Sequence, residues 1–195
     1  MIVIGLTGGI GMGKSTAAAV FRGRFVPVFD ADAEVHRMQR RGGAAVAAIG
    51  AAFPGTVRDD VVDRARLRAA VLGNPPALRR LEALIHPRVR QAERRFLAHA
   101  RRAGHPIAVL DIPLLFETGG AARVDHVVVV SAPADVQRNR VRRRGHMDEA
   151  QAASVIARQM PDAAKRARAD TVIRTGLSRF HARRQILRLL ETLRR

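Results

Sequence analysis

Short apolar runs alternate along the chain with longer segments that predict helices. The runs that predict strands are residues 2–6, 26–29, 107–111, 126–131 and 171–174. A short, continuous apolar run is typical of a strand that is buried on both faces of a parallel sheet. The segments that predict helices are residues 14–23, 134–144, 148–159 and 178–194. This alternation predicts an α/β fold, in which a parallel sheet carries helices on both of its faces.

The stretch from residue 32 to residue 103 differs from the rest, because its pattern is helical and contains no convincing strand. Glycine and proline interrupt it at Gly42-Gly43, Pro54-Gly55, Asn74-Pro75-Pro76 and His86-Pro87. It is too long for a simple crossover between two strands. We therefore expect a helical substrate lobe between the second and third strands.

The composition narrows the class of protein. A chain of 195 residues predicts a single domain. It contains no cysteine, which excludes disulfides, thiolate metal sites and cysteine nucleophiles. No apolar run approaches the roughly 18 residues of a membrane span, and the apolar start leads into a glycine loop rather than a signal-peptide cleavage site. We therefore expect a cytoplasmic protein that has no membrane partner.

The formal net charge of +18 indicates anionic partners. The basic residues are spread along the whole chain, and only two of the 35 are lysines, Lys14 and Lys165. The chain also lacks tyrosine and tryptophan, on which nucleic-acid bases stack. These features favour small anionic substrates and solvated helix faces, and we expect no nucleic-acid partner. The oligomeric state is not fixed by the sequence, although a monomer is favoured.

The residues between the first strand and the first helix form a phosphate-binding motif. The segment from Gly8 to Ser15 fits G-x-x-x-x-G-K-[ST], with a strand before it and a helix after it. Its glycines let backbone amides wrap a phosphate chain, and the helix N-terminus adds positive potential. Lys14 is expected to reach the β- and γ-phosphates, Ser15 to bind Mg²⁺, and Thr16 to reach the α-phosphate. The motif therefore predicts binding of ATP with Mg²⁺.

Binding of ATP leaves several classes of protein open. Switch GTPases carry an Asn-Lys-x-Asp motif, which is absent, and motor ATPases place an Asp-Glu pair where this chain has Asp111 alone. A small-molecule kinase needs a carboxylate base, a substrate lobe and an arginine lid, and the chain has candidates for all three. The predicted parts are a P-loop kinase core of residues 1–31, 104–136 and 169–195, the substrate lobe 32–103, and an arginine-rich lid 137–168.

Carboxylates follow the second and third predicted strands, whose carboxyl ends face the ligand crevice of an open sheet. Asp30 fits a helix N-cap, whereas Asp32 fits a general base that takes a proton from an attacking hydroxyl. Asp111 is a candidate Mg²⁺ ligand, through a water molecule, or an ion-pair partner. Glu117 is a candidate substrate contact or the partner of a neighbouring arginine.

Arginines of the predicted lid are candidates for phosphate binding. Arg140 and Arg144 are four residues apart on one helix and therefore share a face. Two guanidinium groups on one face suit a polyphosphate, because arginine binds oxyanions in a bidentate manner. Arg138, Arg142 and Arg143 are expected on the solvated face. Weaker candidates in the same region are Arg158, Gln159 and Lys165.

Taken together, these motifs resemble those of bacterial dephospho-coenzyme A kinases from end to end. The matching segments are Leu6 to Thr16, Asp30-Ala-Asp32, Leu84-Ile-His-Pro87, Asp111 to Glu117, Gln137 to Arg144, and Ala169 to Ile173. The glycine loop alone is widespread, but its combination with the other segments is highly specific. The resemblance implies that ATP phosphorylates the 3′-hydroxyl of dephospho-coenzyme A, the last step of coenzyme A biosynthesis.

The resemblance and the motifs together assign roles to individual residues. The expected catalytic residues are Asp32, Lys14 and Arg140, with Asp32 on the position of the family's proposed base. The expected ATP-binding residues are Gly8, Gly11, Met12, Gly13, Lys14, Ser15, Thr16, Arg140 and Arg144. The expected substrate contacts are Asp32, His86 and Glu117, and the expected metal ligands are Ser15 and Asp111. Without the resemblance, a lone histidine such as His86 at a helix start is more often a cap or a packing residue.

Two positions depart from the family pattern. Met12 fills a loop position that usually holds a small residue, which a loop that works through backbone amides should tolerate. Thr175 stands where an asparagine is common, which puts an adenine contact by that side chain in doubt. Two alternatives to the implied reaction are another small-molecule or nucleotide kinase with a different acceptor, and a nucleic-acid-dependent NTPase that uses the basic surface.

Overall fold

The computed structural model describes residues 1–145, 148–157 and 159–194. The chain divides into two compact units. The second unit is Asp30–His99, and the first unit is formed by the segments before and after it. Each unit has its own cluster of buried apolar side chains. None of the helices in the described ranges is long and apolar enough to cross a membrane.

The structure has the alternation of strands and helices that the sequence predicts. The strands are β1 (Ile2–Thr7), β2 (Val28–Asp30), β3 (Val57–Arg58), β4 (Val61–Val62), β5 (Ile107–Asp111), β6 (His126–Ser131) and β7 (Thr171–Arg174). The α-helices are α1 (Lys14–Arg22), α2 (Ala31–Met38), α3 (Val46–Ala52), α4 (Arg64–Val71), α5 (Pro75–Arg102), α6 (Ala134–Gly145), α7 (Glu149–Ala157), α8 (Asp162–Arg166) and α9 (Arg179–Leu193). A short 3₁₀ helix covers Gly120–Arg123.

A five-stranded sheet of order β2-β5-β1-β6-β7 forms the centre of the fold. Strand β1 pairs in parallel with both β5 and β6, and β7 pairs in parallel with β6. Leu6 of β1 is in register with Asp111 of β5, so these two strands end at the same edge. The chain runs from β1 to one side of the sheet, to β2 and β5, and then crosses to β6 and β7 on the other side of β1, and the ligand crevice of an open α/β sheet lies at the carboxyl end of such a switch point. The predicted α/β fold with a parallel sheet is confirmed.

Helices α1 and α9 pack on one face of this sheet. They contribute small and aliphatic side chains, among which Ile186 is fully buried. Phe21 is the aromatic member of a cluster that is otherwise aliphatic. The strands contribute Ile4, Leu6, Ile107, Val109, Val128, Val130 and Ile173 to it. The apolar runs of the sequence therefore form the sheet, and burial of these side chains holds α1 and α9 against its face.

The expectation that residues 32–103 hold no strand is wrong. Strands β3 and β4 form an antiparallel hairpin in which Val57 pairs with Val62. Its turn is made by Asp59 and Asp60, whose φ values of 49° and 60° are those of a two-residue hairpin turn that tolerates aspartate. Each strand has only two residues, which is too short to produce a recognisable alternating pattern.

The predicted break at His86-Pro87 is also wrong, because α5 continues through Pro87. A proline inside a helix removes one backbone hydrogen bond and opens the ladder locally. The carbonyl that loses its backbone donor is that of Ala83, and the next carbonyl, that of Leu84, accepts from the Arg88 guanidinium at 2.7 Å. Ile85 on the same turn is buried in the core of the second unit. The helix thus continues through Pro87 where its turn packs into this core.

Smaller differences have local causes. Strand β2 begins later than predicted, because Pro27 has no N–H group for the ladder, although its carbonyl accepts from Val109 N–H at 2.9 Å. The helix predicted over 148–159 is observed as α7, and Arg158 lies outside the described residues. Helix α8 was not predicted, since five residues give no periodicity.

Candidate active site

The phosphate-binding motif forms the loop that connects β1 to α1. Gly11 and Gly13 have φ values of 77° and 92°, in the left-handed region that favours glycine. A Cβ at Gly11 would lie 2.8 Å from Val141 Cγ2 and 3.0 Å from the Gln137 carbonyl oxygen, so a side chain would not fit. Gly13 is the N-cap of α1 and provides no side-chain cap. The first amides of α1 are therefore left to an anionic ligand.

Lys14, the first residue of α1, forms an ion pair with Asp111, the last residue of β5. Lys14 Nζ lies 2.5 Å from Asp111 Oδ1, and the Asp111 side chain is buried. This is the ion-pair role, one of the two roles predicted for Asp111. Ser15, the predicted metal ligand, follows Lys14 and is exposed. The loop, one ammonium group and one carboxylate therefore meet at the carboxyl edge of the sheet.

Side chains of the predicted lid form hydrogen bonds with the backbone of the loop. Gln137 Nε2 donates to the Ile10 carbonyl at 2.9 Å, and Arg140 Nη1, one turn further along α6, donates to the Gly11 carbonyl at 3.3 Å. The Ile10 N–H group donates to Gln159 Oε1 at 2.7 Å. Arg140 was predicted to face the phosphates, and the structure adds a contact with the loop itself. The sequence ranked Gln159 only as a weak candidate.

Thr175, which follows β7, is buried against the same loop. Its Oγ1 donates to the Met12 carbonyl at 2.6 Å. Arg140 donates to both Thr175 Oγ1, at 3.2 Å, and the Thr175 carbonyl, at 2.7 Å. The Met12 side chain is also buried, and its sulfur accepts from Ala132 N–H at 3.1 Å. The two departures from the family pattern thus contact each other, and both secure the loop.

A cavity of about 440 Å³ lies beside the loop and has a strongly basic lining. Its lining side chains include Thr16, Arg140, Arg143, Arg144, Thr175, Ser178 and Arg179. Arg140 and Arg144 share this cavity, in agreement with their spacing. Arg143 is exposed, as predicted, and it also lines the cavity, because residues three apart on a helix share a face. Arg138 and Arg142 are exposed, and Arg142 lies 3.9 Å from Glu149.

Ser178 and Arg179 line the cavity and were not among the residues predicted from the sequence. Ser178 is the N-cap of α9, where its hydroxyl accepts from His181 N–H at 3.0 Å. Arg179 is the first residue of α9 and lines the cavity beside it. The sequence feature that could have identified Ser178 is a serine directly before a helix, in the connection between β7 and α9.

Glu117 pairs with a lysine rather than with the arginine that the sequence suggested. Its Oε1 accepts from Lys165 Nζ at 2.8 Å, and Lys165 is almost fully buried, with 1% of its side chain exposed. Burial alone would raise the pKa of Glu117, but the hydrogen bond and the charge of Lys165, with backbone hydrogen bonds, outweigh it and lower the pKa. Lys165 also donates to the Pro113 carbonyl at 3.4 Å. Glu117 thus ties the segment after β5 to α8.

The remaining predicted residues belong to the second unit. Asp30 is the N-cap of α2 and accepts from Ala33 N–H at 2.9 Å, which is the cap role that its position suggested. Asp32 lies exposed in the first turn of that helix. His86 is half-buried in the middle of α5 rather than at a helix start.

A phosphate loop between a central parallel strand and a helix, with an arginine-lined cavity beside it, defines a P-loop kinase. Residues 2–178 match the dephospho-CoA kinase family. A relative named dephospho-CoA kinase from Mesorhizobium japonicum is 56% identical over 194 residues, which cover 100% of this chain and 98% of the relative. The chain belongs to the dephospho-CoA kinase family, which confirms the resemblance predicted from the motifs.

Solved structures agree with this fold. The crystal structure of TT1252 from Thermus thermophilus superposes with a TM-score of 0.85 at 34% identity, covering 98% of this chain and 96% of that one. Dephospho-CoA kinase from Campylobacter jejuni superposes with a TM-score of 0.66 at 20% identity, with the same coverage of 98% and 96%. The second likeness shows the shared fold at low sequence identity.

Proposed function

We propose that the protein transfers the γ-phosphoryl group of ATP to the 3′-hydroxyl of dephospho-coenzyme A. The products are coenzyme A and ADP, and the reaction is the last step of coenzyme A biosynthesis. The observation that carries the proposal is the Lys14–Asp111 ion pair beside the phosphate loop, in a chain of this family. Phosphoryl transfer depends on positioning and on electrostatic stabilisation of developing charge, and this site offers the groups for both.

The nucleotide binds with its phosphates on the loop between Gly8 and Ser15. The amides at the start of α1 and the Lys14 ammonium group face the phosphate charge. The cavity of about 440 Å³ takes the base and ribose, and Arg140 and Arg144 line it. Arginine suits this position, because its planar guanidinium both stacks on rings and binds oxyanions. Thr16, which also lines the cavity, contacts the α-phosphate.

The donor set beside the loop fits Mg²⁺. This ion takes oxygen ligands, keeps several waters, and is usually held by one or two protein groups together with substrate phosphates. The exposed Ser15 hydroxyl and the Asp111 carboxylate are oxygen donors of this kind. Ser15 would hold the ion directly and Asp111 through a water molecule. When bound, Mg²⁺ would neutralise part of the charge on the phosphates.

Asp32 is the general base of the proposed reaction. Its carboxylate accepts the proton of the 3′-hydroxyl as that oxygen forms a bond to the γ-phosphorus. The bond between the γ-phosphorus and the bridging oxygen breaks, and ADP leaves with the electron pair. The exposed position of Asp32, at the start of α2, keeps the carboxylate accessible to a substrate.

The helical segment 32–103 supplies the dephospho-coenzyme A site, and residues 137–168 supply the lid. His86 and Glu117 contact the acceptor in this proposal. Glu117 keeps its pairing with Lys165 in this proposal, and its carboxylate is the group that a substrate hydroxyl would contact. The sequence-based expectations of a monomer, of a cytoplasmic location and of no nucleic-acid partner are kept as part of the proposal.

A coupled assay of ADP release, with and without dephospho-coenzyme A, tests the proposal. We expect ADP release to depend on dephospho-coenzyme A, and the product to carry its new phosphate on the 3′-oxygen, as phosphorus NMR or mass spectrometry of the product would reveal. An analogue that lacks the 3′-hydroxyl should bind without turnover. ADP release that is indifferent to dephospho-coenzyme A, or that is stimulated by DNA or RNA instead, would exclude the proposed function.

A further inference from the structure

Three consecutive carbonyl groups of the phosphate loop accept hydrogen bonds from side chains outside the loop. The pairs are Gln137 Nε2 with Ile10 O at 2.9 Å, Arg140 Nη1 with Gly11 O at 3.3 Å, and Thr175 Oγ1 with Met12 O at 2.6 Å. The donors come from α6 and from the residue after β7, more than a hundred residues away in sequence. Side chains from two distant elements therefore hold three successive carbonyl groups of the loop.

The planar peptide group links the direction of each held carbonyl to the direction of the next N–H group. A trans peptide is planar, and its C=O and N–H groups point in opposite directions. A side chain that holds the Ile10 carbonyl therefore fixes the direction of the Gly11 N–H group, and one that holds the Met12 carbonyl fixes that of Gly13. The Gly11 N–H group therefore points away from Gln137, and the Gly13 N–H group points away from Thr175.

The loop needs this restraint because of its glycines. Glycine populates φ values of both signs with little difference in energy, so the peptides around Gly11 and Gly13 have other accessible orientations. A peptide turned the wrong way would direct a carbonyl oxygen at the phosphates. Amides that are already aimed cost no reorganisation when the ligand binds.

We propose that Gln137 and Thr175 are positioning residues that aim the amides of the phosphate loop at the nucleotide. The inference rests on the proposed function only in taking the phosphates of ATP or ADP as the ligand. Each side chain acts through the loop carbonyl that it holds. Thr175, which departs from the common asparagine, thereby acquires a role of its own in this chain.

Gln159 provides an internal contrast to Gln137. The two side chains meet the same residue, and a Cβ on the adjacent Gly9 would lie 3.3 Å from both amide groups. Gln137 must donate, because the Ile10 carbonyl can only accept, whereas Gln159 must accept, because the Ile10 N–H group can only donate. Replacement of either glutamine by glutamate adds the same charge near the loop. A glutamate at position 137 can no longer donate to the Ile10 carbonyl, whereas a glutamate at position 159 can still accept from the Ile10 N–H group.

The first test compares Thr175→Val with Thr175→Ser. Valine keeps the volume of threonine but has no hydroxyl, whereas serine keeps the hydroxyl. We expect Thr175→Val to raise the Kd for ADP and the KM for ATP by ~2- to 10-fold, because it removes the hydroxyl that bonds to the Met12 carbonyl and to Arg140. The KM for dephospho-coenzyme A should stay unchanged, and Thr175→Ser should restore the wild-type values. Thr192→Val, which removes an exposed hydroxyl bonded to the Arg188 carbonyl, is the matched control.

The second test compares Gln137→Glu with Gln159→Glu by titration of ADP in a calorimeter. We expect Gln137→Glu to bind ADP about ten-fold more weakly than Gln159→Glu, because its carboxylate would face the Ile10 carbonyl. Gln151→Glu is the matched control for added charge, since Gln151 is exposed and its side-chain oxygen accepts from the Asp148 N–H group at 3.2 Å.

Equal losses in the two glutamate variants, or equal values in the valine and serine variants, would overturn the inference. If Thr175→Val does not fold, the glutamine pair decides alone. ADP titration needs no acceptor, so it separates the two proposals. A wild-type protein that binds ADP but ignores dephospho-coenzyme A would remove the proposed reaction and leave this inference to be judged by the variants.

Discussion

Lys14 Nζ and Asp111 Oδ1 meet at 2.5 Å although 97 residues separate them in the sequence. The register of β1 and β5 explains the encounter, because Leu6 and Asp111 are neighbours at the edge of the sheet. The buried carboxylate holds the ammonium group beside the loop before any nucleotide is bound. A phosphate that enters the site therefore meets an oriented positive charge, which is the arrangement that favours a charged transition state.

Lys14→Ala should abolish turnover while the protein stays folded. The variant loses one preoriented charge beside the phosphates, and such a loss costs about 10²–10³-fold in kcat. Steady-state kinetics with saturating ATP, together with circular dichroism and urea unfolding, measure both parts of the prediction. A folded Lys14→Ala variant with near-normal kcat would contradict the role assigned to this lysine.

Arg140→Ala should weaken catalysis far more than Arg142→Ala. Arg140 donates to the Gly11 carbonyl and to Thr175 and lines the cavity, whereas Arg142 is exposed and lies 3.9 Å from Glu149. Comparison of kcat/KM for ATP in the two variants measures the difference. Because both substitutions remove one positive charge from the same helix, equal effects would mean that Arg140 acts only through the general basicity of α6.

The Glu117–Lys165 pair should make the stability of the protein depend on acid pH. The pKa of Glu117 is lowered in the folded protein, so the folded state favours the ionised carboxylate. This contribution is fully present above the ordinary pKa of glutamate, about 4.3, and is lost as the pH falls through the lower folded value. Glu117→Gln lacks it at every pH. The difference in unfolding free energy between wild type and Glu117→Gln should therefore shrink as urea titrations move from pH 7 into this acid range.

A double variant provides the control for that measurement. Glu117→Gln leaves the nearly buried Lys165 ammonium without its carboxylate, and a buried charge that loses its partner is strongly destabilising. Lys165→Met in the Glu117→Gln background removes this charge and should recover part of the lost stability. If the double variant were less stable than Glu117→Gln, the cost would lie in packing around α8 rather than in the unpaired charge.

The sequence predicted most of the sheet correctly, for a physical reason. Strands β1, β5 and β6 are almost entirely buried, so they are continuous apolar runs that stand out from the polar helices, whereas the edge strand β7 is only partly buried. Elements stabilised by tertiary contacts were harder to predict. The β3–β4 hairpin depends on a two-residue turn at Asp59 and Asp60, and Pro87 stays helical within the packing of α5.

Some residues of the site could likewise be predicted from the sequence, and others could not. The loop, Lys14 and the arginine pair of α6 have local patterns, which a sequence displays directly. The contacts of Gln137, Gln159 and Thr175 with the loop join residues 127, 149 and 163 positions apart, and no local pattern encodes them. The pairing of Glu117 with Lys165 across 48 positions is of the same kind. Such partners become visible only when the order of strands is known.

Asp32→Asn should lower kcat with little change in the KM for ATP. Asparagine keeps the size of aspartate and still forms hydrogen bonds, but it cannot take the proton of the acceptor hydroxyl. A general base contributes about 10²–10⁴-fold, and phosphoryl transfer, which is mostly positioning and charge stabilisation, places the loss at the low end of that range. Steady-state kinetics with both substrates varied measure the effect.

The neighbouring Asp30→Asn variant separates this role from a purely structural one. Asp30 caps α2 through Ala33 N–H, and asparagine caps a helix about as well as aspartate, so Asp30→Asn should be nearly silent. If Asp32 served only the dipole of α2, Asp32→Asn would cost about 0.3–1 kcal/mol of stability and leave kcat unchanged. Urea unfolding of both variants distinguishes that outcome from a loss of catalysis. Retention of more than about a third of wild-type kcat in Asp32→Asn would leave less than about 1 kcal/mol of the barrier to the carboxylate, and the assignment of the base would be withdrawn.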